Sequence, residues 1–281
     1  MIFLKTNIKI NFEQISTNLE ENLNILVISD IHVDKFQDNI EYLNKLLSIM
    51  SYLNIDYILI PGDLIQTYKV LLSNVNTLIK EFGKIAPTII SIGNHELQAV
   101  KNGLNLKWFI DLENFNNVYP LINSSILLND IQFSGFSPNL DVYFPKTKNK
   151  NELFLQEFMN SGIKINSYAK FKIMLSHNPN YINKQTLQNN EVLNNFNLFI
   201  SGHNHNGCTP LFLEKMFKAY GLFGPYFTLF PSKSRGIINI NDSNLFISKG
   251  FRKFPQENIF MNKLDSLYSN DIHHLVLKKK K

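Results

Sequence analysis

The segment SGHNHNG, residues 201–207, sets His203 and His205 two positions apart behind a glycine, directly after the apolar run FNLFI. The chain has 7 His in all. Two of them at the end of a strand-like run offer imidazole, the commonest metal-ligating side chain, at one edge. Comparable groups follow four other apolar runs. Asp30 and His32 lie in SDIH after NILVI, Gly62 and Asp63 in PGD after DYILI, Gly93 to Glu96 in GNHE after PTIIS, and His177 in SHNP after KIML. Strand ends on one edge of an α/β sheet are neighbours in space however far apart in sequence, and ligands bind there.

Each group has a plainer reading by itself. Asp30 and Asp63 would serve as helix N-caps, Asn94 as a turn residue beside Gly93, and His177 as a hydrogen-bonded histidine before Asn-Pro. Recurrence after five separate strands favours one shared site. Cys208 is the only cysteine, so an internal disulfide and a paired-thiolate metal site are both excluded. Any metal must sit on nitrogen and oxygen ligands.

The elements that would position these residues alternate along the first hundred positions. NILVISD is followed by NIEYLNKLLSIMSYL, whose Ile40, Leu43, Leu46, Leu47, Met50 and Leu53 fall at helical spacing. DYILIPGD with VLLSNVNTLIKEF repeats the unit, and PTIISIGNHE with a helix expected near 103–113 repeats it again. Three βα units imply a parallel sheet with crossover helices. The second half reads differently: NVYPLI, SILLND and IQFSGF resemble a meander, NELFLQEFM is helical, and KFKIMLS, NLFIS, GIINI, a second NLFIS and HHLVL are strands. Two sheets sharing one core with helices outside fit this order, as a single domain over 1–281.

Hydrophobic residues make up 44% and charged residues 18% of 281 positions, enough for a sizeable core and too little charge for a disordered chain. Net charge is +5, and Lys278 to Lys281 supply four of the positive charges. The rest is near neutral, which argues against a dedicated nucleic-acid surface. MIFLKTNIKINFEQ alternates like a strand and lacks a basic region followed by a long apolar core, so the expected address is cytoplasmic.

The ordered series D-x-H, G-D, G-N-H-E, H and G-H-x-H, spread over residues 24–207, resembles the calcineurin-like metallophosphoesterase family. VISDIHVD and LFISKG are most similar to a bacterial branch that includes hydrolases of UDP-diacylglucosamine and other envelope phosphoesters. The resemblance implies a four-layer α/β/β/α sandwich of two mixed sheets flanked by helices. It implies one metal on Asp30, His32 and His205 and a second on Asn94, His177 and His203, with Asp63 bridging both. A shared carboxylate offsets the repulsion of two divalent ions, and their excess positive charge attracts a phosphate. Manganese is the first choice by resemblance, with iron, zinc, cobalt and nickel as alternatives suited to the same donors.

The expected reaction is hydrolysis of a phosphoester, a diester or pyrophosphate, by a hydroxide bridging the two ions, with His95 protonating the leaving oxygen or stabilising its charge. The plainer reading of His95 is a turn residue bonded to Glu96. Two glycines follow G-H-x-H in many relatives, whereas Asn206, Gly207 and Cys208 stand here; Asn tolerates the left-handed backbone such a turn needs. Cys208 reads as a small buried residue, or else as a thiol near the metals. The stretch 211–230 carries Phe212, Phe217, Tyr220, Phe223, Tyr226, Phe227 and Phe230. It reads as a core or lid element, or as an apolar lip that takes acyl chains or rests on the inner membrane face with help from the basic tail. The alternatives to a general phosphohydrolase are a lipid-linked UDP-diacylglucosamine-type pyrophosphatase and a non-catalytic scaffold on the same fold.

Overall fold

In the computed structural model the described residues are 8–36, 40–144, 148–217, 219–224, 228–251 and 267–280. Twelve strands among them form two six-stranded mixed sheets. The first contains β1 (Ile8–Thr17), β2 (Leu23–Val27), β3 (Tyr57–Ile60), β4 (Thr88–Ser91), β5 (Val118–Leu121) and β12 (Asn270–Lys279). Its order is β1-β12-β2-β3-β4-β5, parallel except where β12 runs against β2. The second contains β6 (Ser124–Leu128), β7 (Ile131–Phe136), β8 (Phe171–Ser176), β9 (Leu198–Ser201), β10 (Gly236–Ile240) and β11 (Ser243–Ile247), in the order β10-β11-β9-β8-β7-β6.

Alternation of side chains across each strand gives every sheet two apolar faces. Ile25, Val27, Leu59 and Ile89 from the first sheet meet Phe133, Ile173, Leu175 and Ile200 from the second, and this layer is the central core. Leu26, Ile58, Ile60 and Ile90 point the other way, onto α1 (Ile40–Ser51) and α2 (Leu72–Ile85), which bury Leu46, Met50, Leu78 and Phe82. Met174 and Phe199 pack likewise against Phe154 and Phe158 of α5 (Lys150–Asn160). The result is the expected α/β/β/α order of layers.

Two local expectations need correction. The helix expected near 103–113 starts later and is short, α4 (Lys107–Ile110) running into a 3-10 turn over Asp111–Asn114, and a separate α3 (Asn94–Lys101) that was not expected starts on the GNHE motif itself. Gly103, at φ +106°, adopts a backbone that α-helix cannot continue through and so ends α3. The three-strand meander is split, because β5 pairs with β4 while β6 and β7 form a hairpin in the other sheet. Its two-residue turn, Asn129-Asp130, has both φ angles positive, as such hairpins require. In the basic tail Lys278 and Lys279 belong to β12 and pair with Ser16 and Thr17, with their side chains exposed.

Candidate metal centre

Parallel strands deliver their following residues to the same edge, and the loops here extend the ladders a little further. Asp30 N donates to Gly62 O and His32 N to Asp63 O, so the SDIH and PGD loops run side by side beyond β2 and β3. In the second sheet, Gly202 N donates to His177 O, which aligns the loops after β8 and β9. The two sheets then face one another across these five loop tips. Gly62 and Gly93 permit the closeness: a Cβ on Gly62 would come within 2.6 Å of Gly93 N, and one on Gly93 would collide with Oδ1 of Asp63.

Two groups of side chains converge there. Asp30, His32, Asp63 and His205 form one, and Asp63, His177 and His203 the other, each offering ligand atoms within 4.8 Å of one another. Asp63 belongs to both. Asp30, His32, Asp63, His177 and His203 are buried, and His205 is half-buried. Neither aspartate caps a helix, since α1 and α2 begin at Ile40 and Leu72.

Three of the four imidazoles are held at Nδ1 by a backbone carbonyl. Nδ1 of His177 donates to Pro61 O at 2.8 Å, Nδ1 of His32 to Ile65 O at 3.3 Å, and Nδ1 of His205 to Phe251 O at 3.2 Å. A carbonyl can only accept, so each contact fixes the proton on Nδ1 and makes Nε2 the nitrogen that can take a cation. Nε2 of His177 lies 3.0 Å from Oδ2 of Asp63 and Nε2 of His205 lies 3.5 Å from Oδ1 of Asp30. Asn94 begins α3, and its Oδ1 is buried without a hydrogen-bond partner. A buried amide oxygen left unpaired costs about 1–3 kcal/mol. A cation beside Asp63 would satisfy it. Two carboxylates, four imidazoles and this amide suit divalent ions that accept nitrogen and oxygen donors, so the residues fit such a pair.

The electrostatics agree. Burial alone would raise Asp63, yet the imidazoles of His177, His95 and His32 hold it well below the ordinary carboxylate range. Burial opposes a charge on His177, but Asp63 and Asp30 push it up to about 9. Burial, with the charge on His177, drives His203 well below its ordinary value.

The backbone pays for the convergence with strain. Asp30, His32, Asp63, His203 and His205 all have positive φ, between 42° and 70°. The left-handed region costs a non-glycine residue roughly 1–2 kcal/mol, and such residues collect at sites held open by their surroundings.

Residues that sequence reasoning passed over do much of the holding. Glu96 is buried and accepts from the backbone N–H of Asp63, Ile65 and Gly93 at 3.0, 2.9 and 2.7 Å, tying the second and third loops together. Burial and the Asp63 charge raise its carboxyl to about 7 despite those donors. Its spacing from Gly93 is that of a capping box, the one signal the sequence carries for it. Asp34 accepts from Gln66 N and Thr67 N. Nδ1 of His95 meets Gln66 rather than Glu96, at 3.1 Å to its carbonyl and 3.0 Å to its side-chain amide. His95 N donates to Oδ1 of Asp63, and its Nε2 is 3.8 Å from Oδ2.

These groups border a cleft of about 300 Å³ whose wall includes Asp63, Asn94, His95, His203, His205 and Cys208. Cys208 is half-buried rather than part of the core. Gly224 brings the 211–230 stretch to the same rim. In that stretch Phe212, Met216, Tyr220, Phe223 and Phe230 are exposed rather than in the core; Tyr226 and Phe227 lie outside the described residues. No helix among the described residues is long and apolar enough to cross a membrane.

Paired sheets thus gather buried Asp and His side chains at their strand ends around a shared carboxylate, a donor set suited to divalent ions. The chain belongs to the calcineurin-like phosphoesterase family, whose model matches residues 23–207. A Campylobacter jejuni protein described as an uncharacterized metallophosphoesterase is 28% identical over 194 residues, 68% of this chain and 46% of that protein. The chain therefore spans about half the length of the curated relative it matches. Two solved structures are similar at low identity. One is provisionally a 5′-nucleotidase from Staphylococcus aureus (12% identity, TM-score 0.45, 88% of this chain and 58% of that one). The other is a phosphopantetheinyl hydrolase from Mycobacterium tuberculosis (10%, TM-score 0.39, 83% and 91%). Likeness at that level says nothing about substrate.

Proposed function

We propose that the chain is a two-cation phosphohydrolase that cleaves a phosphodiester or pyrophosphate, with His95 at the leaving oxygen. The observation that carries the reading is the membership of Asp63 in both ligand groups. Asp30, His32, Asp63 and His205 would hold one cation, and Asp63, Asn94, His177 and His203 the other. When bound, the pair supplies charge for phosphoryl oxygens and lowers the pKa of water. Manganese is our first assignment, by resemblance to the family.

The side chains supply the rest. His95 is partly open to the cleft and fixed at Nδ1 by Gln66. Its Nε2 is the atom able to donate a proton to a departing alkoxide or phosphate. Glu96 and the Asp63 backbone hold that histidine's loop still, which orients the donor before substrate arrives. Full retention of the ligand set argues against a non-catalytic scaffold. Manganese-dependent turnover of bis(p-nitrophenyl) phosphate and of a nucleotide-linked pyrophosphate, lost with chelator and with Asp63→Asn, supports this reading. Metal-loaded protein inert toward every phosphoester class would end it.

A narrower reading, a lipid-linked pyrophosphatase touching a membrane surface, is favoured by one observation. The exposed Phe212, Met216, Tyr220, Phe223 and Phe230 lie in the same stretch as Gly224 at the cleft rim. Exposed apolar clusters at a pocket mouth commonly meet an apolar partner.

A further inference from the structure

The loop that carries His205 holds the longest run of positive-φ residues among the described residues. His203, His205, Asn206, Gly207 and Cys208 all have positive φ, at 70°, 42°, 59°, 56° and 48°. Four of these five are not glycine, and such a run persists only where its surroundings over-determine it.

The surroundings converge on Arg235, a buried side chain from the start of the segment that leads into β10. Its Nη1 donates to Asn206 O at 3.1 Å and to Asn206 Oδ1. Nη2 donates to Tyr220 O at 3.0 Å and to Glu214 O at 3.4 Å. The Asn206 amide is consumed on its other side as well: Nδ2 donates to Glu214 Oε1 at 2.7 Å. Lys249 holds the second oxygen of Glu214 at 2.8 Å. The Lys249 segment continues to Phe251, whose carbonyl receives Nδ1 of His205. A planar guanidinium reads several carbonyls at fixed angles, which a lysine cannot reproduce.

His203 is anchored differently. Its backbone N–H points to both oxygens of Asp30, and Gly202 N donates to His177 O, so neither contact passes through Arg235.

We infer that Arg235 is a positioning residue for the His205 half of the site: through Asn206 and Glu214 it holds the left-handed turn that presents the His205 imidazole. This rests on the two-cation reading above. It follows that disrupting Arg235 weakens one cation selectively, the one held by Asp30, His32, Asp63 and His205. Loss of an outer partner of a metal ligand typically lowers affinity about 10–100-fold.

The test is calorimetric titration of the chelator-stripped full chain with Mn²⁺, with bound metal counted by elemental analysis. Wild type should bind two ions. Arg235→Met should bind one with unchanged affinity and the other about 10–100-fold more weakly. Asn206→Ala, which leaves the backbone carbonyl but removes the Oδ1 acceptor of Arg235 and the Nδ2 bond to Glu214, should give the same split and serves if Arg235→Met does not fold. A folded variant that binds both ions as wild type does, or weakens both equally, overturns the assignment. Wild type that binds no metal instead defeats the two-cation reading itself.

Discussion

Nε2 of His177 stands 3.0 Å from Oδ2 of Asp63, and the two residues come from different sheets. Asp63 follows β3 in the first and His177 follows β8 in the second, so the contact spans the seam of the sandwich. The site therefore exists only when both sheets are packed on their shared core.

Asp63→Asn keeps the shape and removes the shared negative charge. Without it, two divalent ions held by these residues would lose the negative charge that offsets their mutual repulsion. Elemental analysis should find at least one ion lost, and phosphodiester turnover should fall by at least about 100-fold. Retention of two ions with ordinary turnover would falsify the shared-carboxylate role.

His95→Asn should leave both ions in place and lower kcat by about 100-fold or more. The deficit should be larger for an alkyl leaving group than for p-nitrophenolate, which departs without a proton. Gln66→Ala should give a smaller loss in the same direction. In the double variant the two losses should not add, because Gln66 acts through the ring it holds.

Stability of the chelated protein should depend on pH in a definite direction. His177 is raised from 6.5 to about 9, so its pairing with Asp63 is fully present below 6.5 and is lost as pH rises through 9. Glu96, raised from 4.5 to about 7, keeps its proton in the folded state and contributes stability that likewise disappears as pH rises through 7. Asp63 acts oppositely only in acid, below its ordinary 3.8, and His203, held well below its ordinary 6.5, acts oppositely only up to about that pH, where its effect is complete. Thermal unfolding of chelated protein at pH 6, 7.5 and 9 should therefore show a falling Tm. With Mn²⁺ a cation takes the place of that proton, and the gap between loaded and chelated protein should widen toward pH 9. A gap that stays constant across the series contradicts the electrostatic account.

Phe212→Ser and Phe230→Ser alter exposed side chains that contribute no ligand. Turnover of soluble aryl diesters should be within about twofold of wild type, since surface changes of this kind rarely disturb a fold. Co-sedimentation with anionic vesicles should drop. If wild-type protein ignores such vesicles, the membrane-contact reading goes.

The five motif-bearing strand ends were legible because each pairs a short apolar run with a polar residue that chemistry uses, and strand period and helix period differ. Asn94, His95 and the two histidine-bearing loops could be placed at one edge by that logic alone. The helix near 103–113 was started too early and α3 was missed, because Gly103 at φ +106° closes α3 and the next helical turn begins only at Lys107. The meander was misread because nothing local to 117–136 shows that β5 stays with β4.

What the sequence by itself determined is the order of elements and the chemical types gathered at their ends, since both are written in local pattern. Only the packed structure decided which imidazole nitrogen faces the centre, that Glu96 ties loops instead of serving His95, and that the aromatic stretch is exposed. It also joined Arg235 to Asn206, 29 positions apart. Those relations depend on contacts between segments that the chain brings together only after two sheets close on one core, and no local pattern encodes a partner that distant.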